Sequence, residues 1–468
     1  MARETLTAHD AHDIWRKDRD HNVHPWTNFA TFKQEGSGIM TGSEGIYVYD
    51  AEGARFIDGI GGLWCVNIGY GRDEMAQAIA EQARRLCYYS TFGHLTTPPA
   101  AELAAKLAAL APARLNHVFY GTGGSMANDT AIRIIHFYFN RLGKKRKKHV
   151  ISRLDSYHGS TYLAASLTGV MFDRIGFDVI EDMIHHVGAP NVYRRPDGMS
   201  VDEFCDAKVA ELENKIVELG PENVACFIAE PIIGAGGVIV PPPGYHARTQ
   251  EVCRKHEVLT ISDEVVTAFG RLGHFFASEP AFGLTPDIIT CAKGMTSGYL
   301  PLSGTLLSDE IYEVISVPQA KGALFTHGFT YSGHPVSCAA GLKNIEIIER
   351  EDICGHVRSA GPYFEERLRT LLDLPIVGDV RGSHFMLCVE NVADKETKEI
   401  FDPEVMIGDR IARHCQSRGL IVRPIAHLNV LSPPLIMTRE QIDELVAILR
   451  SSIEATTDDL VRERLWRG

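Results

Sequence analysis

Glycines and polar side chains follow several short apolar runs in the middle of the chain, where buried strands are predicted to end. After the first run comes a glycine-rich turn, Gly121-Thr-Gly-Gly-Ser125, which opens a helical stretch. Glycine lets backbone amides approach a ligand, and a helix N-terminus attracts anions. Met126 occupies the third glycine position of the dinucleotide fingerprint, and no Lys-Ser or Lys-Thr of a P-loop follows. The turn alone leaves a phosphate cradle and a simple tight turn equally open.

Aromatic, acidic and basic side chains follow the other apolar runs: Tyr157 the second, Glu230 the third, Asp263 the fourth and Lys293 the fifth. Taken singly, Tyr157 fits an ordinary core aromatic and Lys293 a surface charge, although the apolar flank of Lys293 favours burial. Carboxylates directly after buried strands are costly unless they are paired. Together, a phosphate cradle, a flat aromatic, a buried acid and a buried lysine are what pyridoxal 5′-phosphate requires. The lysine forms a Schiff base with this cofactor, and the acid keeps the ring nitrogen protonated.

Strands and helices must alternate to position these residues. The predicted strands are residues 117–120, 149–152, 224–229, 258–262 and 287–291, and helical stretches such as 126–141 and 245–256 separate most of them. This alternation predicts an α/β fold with a largely parallel sheet and helices on both faces. Ligands of such sheets bind beyond the carboxyl ends of the strands, which is where the candidate residues lie.

Three segments are predicted along the chain. Residues 66–334 form the large sheet domain, and residues 335–468 form a smaller α+β domain. Residues 1–65 join the small domain and include a predicted hairpin around Asp50-Ala-Glu-Gly53. The last helix is predicted to begin after Thr438, because Gln441 three residues later completes a capping box.

Composition restricts the possible partners of this 468-residue chain. It has 47 Lys and Arg residues against 60 Asp and Glu residues, and its net charge is −13. That balance argues against nucleic-acid or anionic-membrane partners, because no surplus cation neutralises phosphates. The basic run Lys144-Lys-Arg-Lys-Lys148 is interpreted as a solvated loop after a helix, the alternative being a targeting or nucleic-acid patch.

Cysteine and histidine placement excludes other classes. The ten cysteines are scattered without a Cys-x-x-Cys pair, which argues against a zinc ribbon or a redox motif. No run approaches the roughly 18 apolar residues of a membrane span, and the N-terminus is not that of a signal peptide. The pairs His9/His12 and His21/His24 lack a third ligand, so no metal site is predicted. We expect a cytoplasmic protein.

Long motifs in this chain resemble those of the class III aminotransferases, the pyridoxal-phosphate family that includes ω-amino acid:pyruvate and amine:pyruvate transaminases. The resemblance covers about residues 26–434 and implies the aspartate-aminotransferase-like fold, fold type I. The motifs are Gly62-Leu-Trp-Cys-Val-Asn-Ile-Gly-Tyr-Gly71, Tyr157-His-Gly-Ser-Thr161, Glu230-Pro-Ile, Ser262-Asp-Glu-Val265, Lys293-Gly and His327-Gly-Phe-Thr-Tyr-Ser-Gly-His-Pro335.

The resemblance assigns roles around the cofactor. It implies that Lys293 is the Schiff-base lysine and proton shuttle and that Asp263 pairs with the pyridine nitrogen. Tyr157 is expected to stack on one face of the ring and Val265 to pack on the other. Glu230 is expected to orient neighbouring polar groups.

The phosphate side shows one departure from the family. Gly124 and Ser125 are expected to bind the phosphate through backbone amides, and Thr330 to reach the phosphate of the neighbouring subunit in a homodimer. The family usually has Ser-Gly-Ser-Glu where this chain has Gly123-Gly-Ser-Met126. Backbone contacts should survive, whereas side-chain contributions from the first and last positions are lost.

Substrate residues follow from the same resemblance. It implies an aromatic pocket wall and an arginine that grips the carboxylate of an acceptor, for which a guanidinium fork is suited. The wall residues could instead be ordinary core aromatics, and the arginine could belong to a structural ion pair. The residues concerned are Trp26, Trp64, Phe92, Phe172 and Arg423.

The expected reaction is transfer of an amino group from an ω-amino acid or amine to pyruvate in two half reactions, with ping-pong kinetics. Three alternatives stay open at this point. They are a taurine or hypotaurine:pyruvate aminotransferase, a pyridoxal-phosphate aminomutase or decarboxylase on the same fold, and a cofactor-binding regulator without turnover.

Overall fold

The computed structural model describes residues 6–318, 320 and 324–467. Its strands are β1 Met40–Glu44, β2 Tyr47–Asp50, β3 Arg55–Asp58, β4 His117–Gly121, β5 His149–Arg153, β6 Ile184–Val187, β7 Val224–Ala229, β8 Leu259–Asp263, β9 Ile288–Cys291, β10 Ser303–Leu307, β11 Val377–Ser383, β12 Met386–Asn391, β13 Leu420–Ile421, β14 Arg423–Ile425 and β15 Leu428–Leu431. Every strand that the sequence predicts at a candidate site residue is present.

The helices are α1 Ala8–His21, α2 Phe29–Glu35, α3 Gly61–Trp64, α4 Asp73–Arg85, α5 Pro98–Leu110, α6 Gly124–Arg141, α7 Tyr162–Leu167, α8 Val201–Leu219, α9 Tyr245–Lys255, α10 Ser278–Phe282, α11 Asp309–Ser316, α12 Pro335–Arg350, α13 Ile353–Arg369, α14 Ile407–Gln416 and α15 Arg439–Arg462. Short 3₁₀ turns cover Met171–Arg174, Val192–Arg194, Lys293–Met295, Thr370–Asp373 and Pro403–Val405. The predicted capping box of α15 is confirmed, because Thr438 and Gln441 cap each other's backbone.

A seven-stranded sheet in the order β4-β10-β9-β8-β7-β5-β6 forms the centre of the molecule. The five strands β6, β5, β7, β8 and β9 are all parallel to one another. The α/β class with a largely parallel sheet is thus confirmed. The sequence did not indicate β6 or β10, and β10 is antiparallel to both β4 and β9. All six residues of β7 are buried, as expected for a strand covered on both faces.

Two four-stranded sheets lie outside the central one, in the orders β1-β2-β3-β13 and β11-β12-β15-β14. The predicted hairpin is present as the antiparallel pair β2 and β3. Strand β3 pairs in parallel with β13, which comes from the C-terminal part of the chain. This pairing supports the assignment of residues 1–65 to the small domain, although the three-segment division stays a prediction and its outermost residues, 1–5 and 468, lie outside the described part.

The basic run is only partly solvated, which corrects the interpretation from sequence. Lys147 is 2% exposed, and its Nζ donates to the carbonyl oxygens of Val224, at 3.0 Å, and Glu257, at 2.6 Å. Burial lowers the pKa of this lysine to about 8. Carbonyl groups solvate the buried ammonium in place of water, so this lysine fastens the loop to the ends of β7 and α9.

The cysteines are free, and all except Cys65 and Cys87 are buried. No described helix is long and apolar enough to cross a membrane. Among the described residues, no group of three or more His, Cys, Asp and Glu side chains is arranged to hold a metal ion.

Candidate active site

A cavity of about 630 Å³ opens at the carboxyl ends of the central strands. Its volume lies within the range of about 300–1,000 Å³ that is typical of small-molecule sites. Ten of the thirteen predicted site residues line it: Trp26, Trp64, Gly124, Ser125, Tyr157, Glu230, Asp263, Val265, Lys293 and Arg423.

The glycine-rich turn between β4 and α6 forms one end of this cavity. Gly123 is the N-cap of α6, and no side chain of the described residues caps the helix there. The amides of its first turn, including those of Gly124 and Ser125, are therefore available to an anion. A Cβ at Gly124 would lie 2.9 Å from Cγ1 of Val265, so only glycine lets these two segments approach so closely. A Cβ at Gly123 would meet open space.

The departure at Met126 is accommodated locally. The hydroxyl of Thr122 donates to the Met126 sulfur at 2.9 Å. This hydrogen bond joins the glycine-rich turn to the first turn of α6. Because this contact involves side chains only, it leaves the backbone amides of Gly124 and Ser125 available.

Asp263 is the last residue of β8 and is 4% exposed. Its Oδ2 accepts hydrogen bonds from Nδ1 of His158, at 2.7 Å, and from Nδ2 of Asn128, at 2.8 Å. Its Oδ1 accepts the N–H of Val265 at 3.1 Å. The hydroxyl of Thr290 fixes the other end of the Asn128 amide at 2.7 Å. These donors hold a buried carboxylate in one orientation at the cavity wall.

Asn128 and His158 belong to the site but were not singled out from the sequence. Asn128 lies four residues after Gly124, so the two residues are on the same face of α6. His158 directly follows Tyr157 in the chain. Those two spacings are the only signals in the sequence that could have indicated them.

Lys293 begins the 3₁₀ turn directly beyond β9 and has a φ of +41°, an unfavourable conformation for a residue with a side chain. Its Nζ makes no hydrogen bond or ion pair with residues 6–318, 320 or 324–467. Burial lowers the pKa of its ammonium, and Asp263 opposes part of that shift. A lysine with a lowered pKa has a larger neutral fraction and is therefore a better nucleophile and base.

Glu230 fixes the backbone around the cavity. Its Oε1 accepts the N–H of Tyr157 at 3.1 Å, and its Oε2 accepts the N–H of Gly234 at 2.7 Å. Burial raises the pKa of this carboxyl. The Tyr157 ring meets Trp26 edge to face, with 5.7 Å between ring centroids. Glu230 thus helps to position the aromatic residue predicted to stack on the cofactor.

Arg423, the first residue of β14, is half-buried in the cavity wall. Within the described residues, its guanidinium has no carboxylate within 4.0 Å, so the structure shows no ion pair of the kind considered from sequence. Burial lowers its pKa, whereas Tyr157 and Asp173 raise it. Asp173, which sequence reasoning missed, also lines the cavity.

Three predicted site residues do not line the cavity of this chain. Phe92 is 57% exposed and Phe172 is 81% exposed, because each lies in a surface segment that directs its ring to solvent. Thr330 is exposed, and its carbonyl oxygen accepts the hydroxyl of Tyr88 at 2.6 Å. The role of Thr330 across a subunit interface stays a prediction.

The residues present fit pyridoxal phosphate. The uncapped start of α6 offers N–H donors to a phosphate, and Lys293 offers an amine to the aldehyde. A carboxylate accepts about four hydrogen bonds, and Asp263 accepts three from the protein, so one position is left for a protonated ring nitrogen. The donor set therefore matches each end of this cofactor.

Comparisons with known proteins point to the aminotransferases. The family model described as "Aminotransferase class-III" matches residues 32–453. A putrescine–pyruvate aminotransferase of Pseudomonas aeruginosa is 43% identical over 94% of this chain and 95% of its own length. A diaminobutyrate–2-oxoglutarate transaminase of Halomonas elongata is 42% identical over 98% of this chain and 99% of its own length.

A solved structure shows the same architecture. The ω-transaminase of Pseudomonas jessenii in complex with PMP superposes with a TM-score of 0.93 at 39% identity, covering 95% of this chain and 98% of that one. At this identity and coverage, the two proteins share the fold over nearly the whole chain.

Proposed function

This chain belongs to the class III aminotransferases, and on that premise we propose that it transfers an amino group from an ω-amino acid or amine to pyruvate by a ping-pong mechanism. Membership makes the protein a pyridoxal-phosphate-dependent enzyme of fold type I. The observation that supports the finer proposal is that Lys293 and Arg423 line one cavity, and that Arg423 has no carboxylate partner among the residues that the structure describes.

Lys293 is proposed to carry the chemical step. Bound pyridoxal phosphate supplies an electron sink for the carbon that bears the donor nitrogen. The Nζ of Lys293 would take the proton from that carbon as a neutral amine and deliver it, as the ammonium, to the carbon of the cofactor that derives from its aldehyde. Burial of this lysine favours the neutral form, as its lowered pKa indicates.

Asp263 is proposed to hold the ring nitrogen in its cationic form. A hydrogen bond to a charged group contributes about 1.5–3 kcal/mol. His158 and Asn128 fix the direction of the Asp263 carboxylate through Oδ2. Since these partners are themselves buried, the carboxylate need not reorganise when charge develops.

Arg423 is proposed to bind the carboxylate of the acceptor. Its guanidinium is half-buried and has no carboxylate partner in the described part of the chain. A keto acid satisfies that charge with a bidentate contact, which a neutral amine cannot make. The two relatives are named for different acceptors, pyruvate and 2-oxoglutarate, so the choice of pyruvate is the part that experiment must establish.

The test is to record the visible spectrum of the purified holoenzyme with donors and no acceptor, and then to add pyruvate or 2-oxoglutarate. We expect β-alanine or 1-phenylethylamine to bleach the cofactor band and pyruvate to restore it. Parallel initial-velocity plots are expected for the complete reaction, and intersecting plots would contradict the ping-pong scheme. Arg423→Gln is expected to raise the KM for the keto acid about tenfold or more and to change the amine half reaction far less.

The alternatives give different outcomes in the same experiment. Strong bleaching by taurine with little bleaching by arylalkylamines would favour a taurine:pyruvate aminotransferase, since a sulfonate also suits Arg423. Product formation without any keto acid would favour an aminomutase or decarboxylase.

We further propose a cytoplasmic homodimer. Exposed aromatic residues such as Phe92 and Tyr331, together with the exposed Thr330, suit a subunit interface. Size-exclusion chromatography with light scattering tests the dimer, and a monomer that retains full activity would overturn it. The free cysteines fit a reducing compartment.

A further inference from the structure

The cavity contains a charged group that the proposed reaction does not use. Asp173 lies in the 3₁₀ turn Met171–Arg174, between α7 and β6, and lines the same cavity as Lys293 and Arg423. Apart from the catalytic Asp263 and the backbone-fixing Glu230, no other carboxylate of the described residues lines this cavity.

The Asp173 carboxylate has no partner among residues 6–318, 320 and 324–467. No cation there lies within 4.0 Å of it, and the hydrogen bond of this residue is made by its backbone N–H, to Val170. Burial raises its pKa, whereas Arg423 lowers it. The two side chains are therefore near enough to influence each other but too far apart to form an ion pair.

A half-buried carboxylate without a partner loses hydration and gains little in return. A ligand cation placed against this carboxylate would compensate for the lost hydration, whereas a ligand anion would be repelled. Arg423 has the opposite preference. One cavity thus holds separate complements for an anion and for a cation, beside the amine of Lys293.

We infer that Asp173 binds the distal ammonium of a diamine donor while the other amino group of that donor reacts beside Lys293. This inference rests on the proposed function and names the donor class that the site prefers. The lining of the same cavity includes Leu63, Trp64 and Val170, which offer apolar contacts to a methylene chain. Arg423 then binds the keto acid in the other half reaction, so each charge serves one substrate.

The first test compares donors on the wild-type holoenzyme without acceptor. The probes are 1,4-diaminobutane, butylamine and 4-aminobutan-1-ol, which share a reacting amine and differ in the distal group. The concentration dependence of cofactor bleaching gives an apparent kcat/KM for each donor. We expect the diamine to exceed both monoamines by about tenfold to a hundredfold, as for a charge-assisted hydrogen bond.

The second test uses Asp173→Asn, with Asp178→Asn as matched control. Asp178 lies five residues later in the same surface segment, is exposed and does not line the cavity. We expect Asp173→Asn to lower the diamine-to-butylamine ratio at least tenfold and Asp178→Asn to leave this ratio within twofold.

The outcomes separate the inference from the proposed function. Wild-type protein that bleaches with none of the amines would refute the proposed function itself. Bleaching with butylamine but no preference for the diamine would overturn the inference and leave the function intact. An unchanged donor ratio in Asp173→Asn, with an altered KM for pyruvate, would show that Asp173 acts only by positioning Arg423.

Discussion

A methyl group at Gly159 would collide with the turn that is proposed to hold the cofactor phosphate. Gly159 has a φ of +138°, and a Cβ built there lies 2.3 Å from Oγ and 2.8 Å from Cα of Ser125. The Cα belongs to the backbone, so Gly159→Ala must displace the start of α6 or move its own loop. Displacement of α6 moves the Ser125 amide, and displacement of the loop moves the adjacent Tyr157 and His158, so either adjustment disturbs the cavity lining.

The cost of this change has two sources. Overpacking costs about 1–3 kcal/mol, and an unfavourable backbone conformation costs a further 1–3 kcal/mol or so. Since about 1.4 kcal/mol corresponds to a tenfold change in affinity, we expect the Kd for pyridoxal phosphate to rise at least tenfold. Titration of apoprotein with the cofactor, followed in the visible band, measures this constant.

The matched control is Gly123→Ala in the same turn. Its φ is −169°, which any residue adopts, and its Cβ would meet nothing within 4 Å. We expect its cofactor affinity to stay within threefold of the wild-type value. Equal losses in both variants, or wild-type affinity in Gly159→Ala, would refute the proposed steric coupling. The Tm of each apoprotein separates a cofactor effect from general unfolding.

Two other predictions concern the lysine and a buried histidine. Lys293→Ala is expected to slow donor-dependent bleaching of the cofactor by at least about a hundredfold, because it removes the base of the proton transfer; an unchanged rate would exclude this role. Burial lowers the pKa of His246 to about 3, so the unfolded chain binds more protons than the folded chain between about pH 3 and 6.5. Stability should therefore fall as the pH drops below 6.5, and His246→Gln should flatten the dependence of Tm on pH there; equal slopes would contradict this.

Much of the site could be predicted from the sequence because of one property of parallel sheets. Glu230, Asp263 and Lys293 each follow an apolar run, and the carboxyl ends of parallel strands meet at one edge. Local sequence also determined where helices begin, as the capping box at Thr438 shows. These signals are local, so they indicate which elements form and which residues terminate them.

The tertiary structure decided which distant side chains meet. Asn128 and His158 lie 135 and 105 positions from Asp263, and no spacing in the chain indicates that both donate to its Oδ2. Asp173 and Arg423 come from opposite halves of the chain and share one cavity wall. Burial of Lys147 depends on carbonyl groups that the ends of β7 and α9 bring together. Such contacts depend on how packed elements fit in three dimensions, and residue type and periodicity along the chain do not encode that fit in any single stretch.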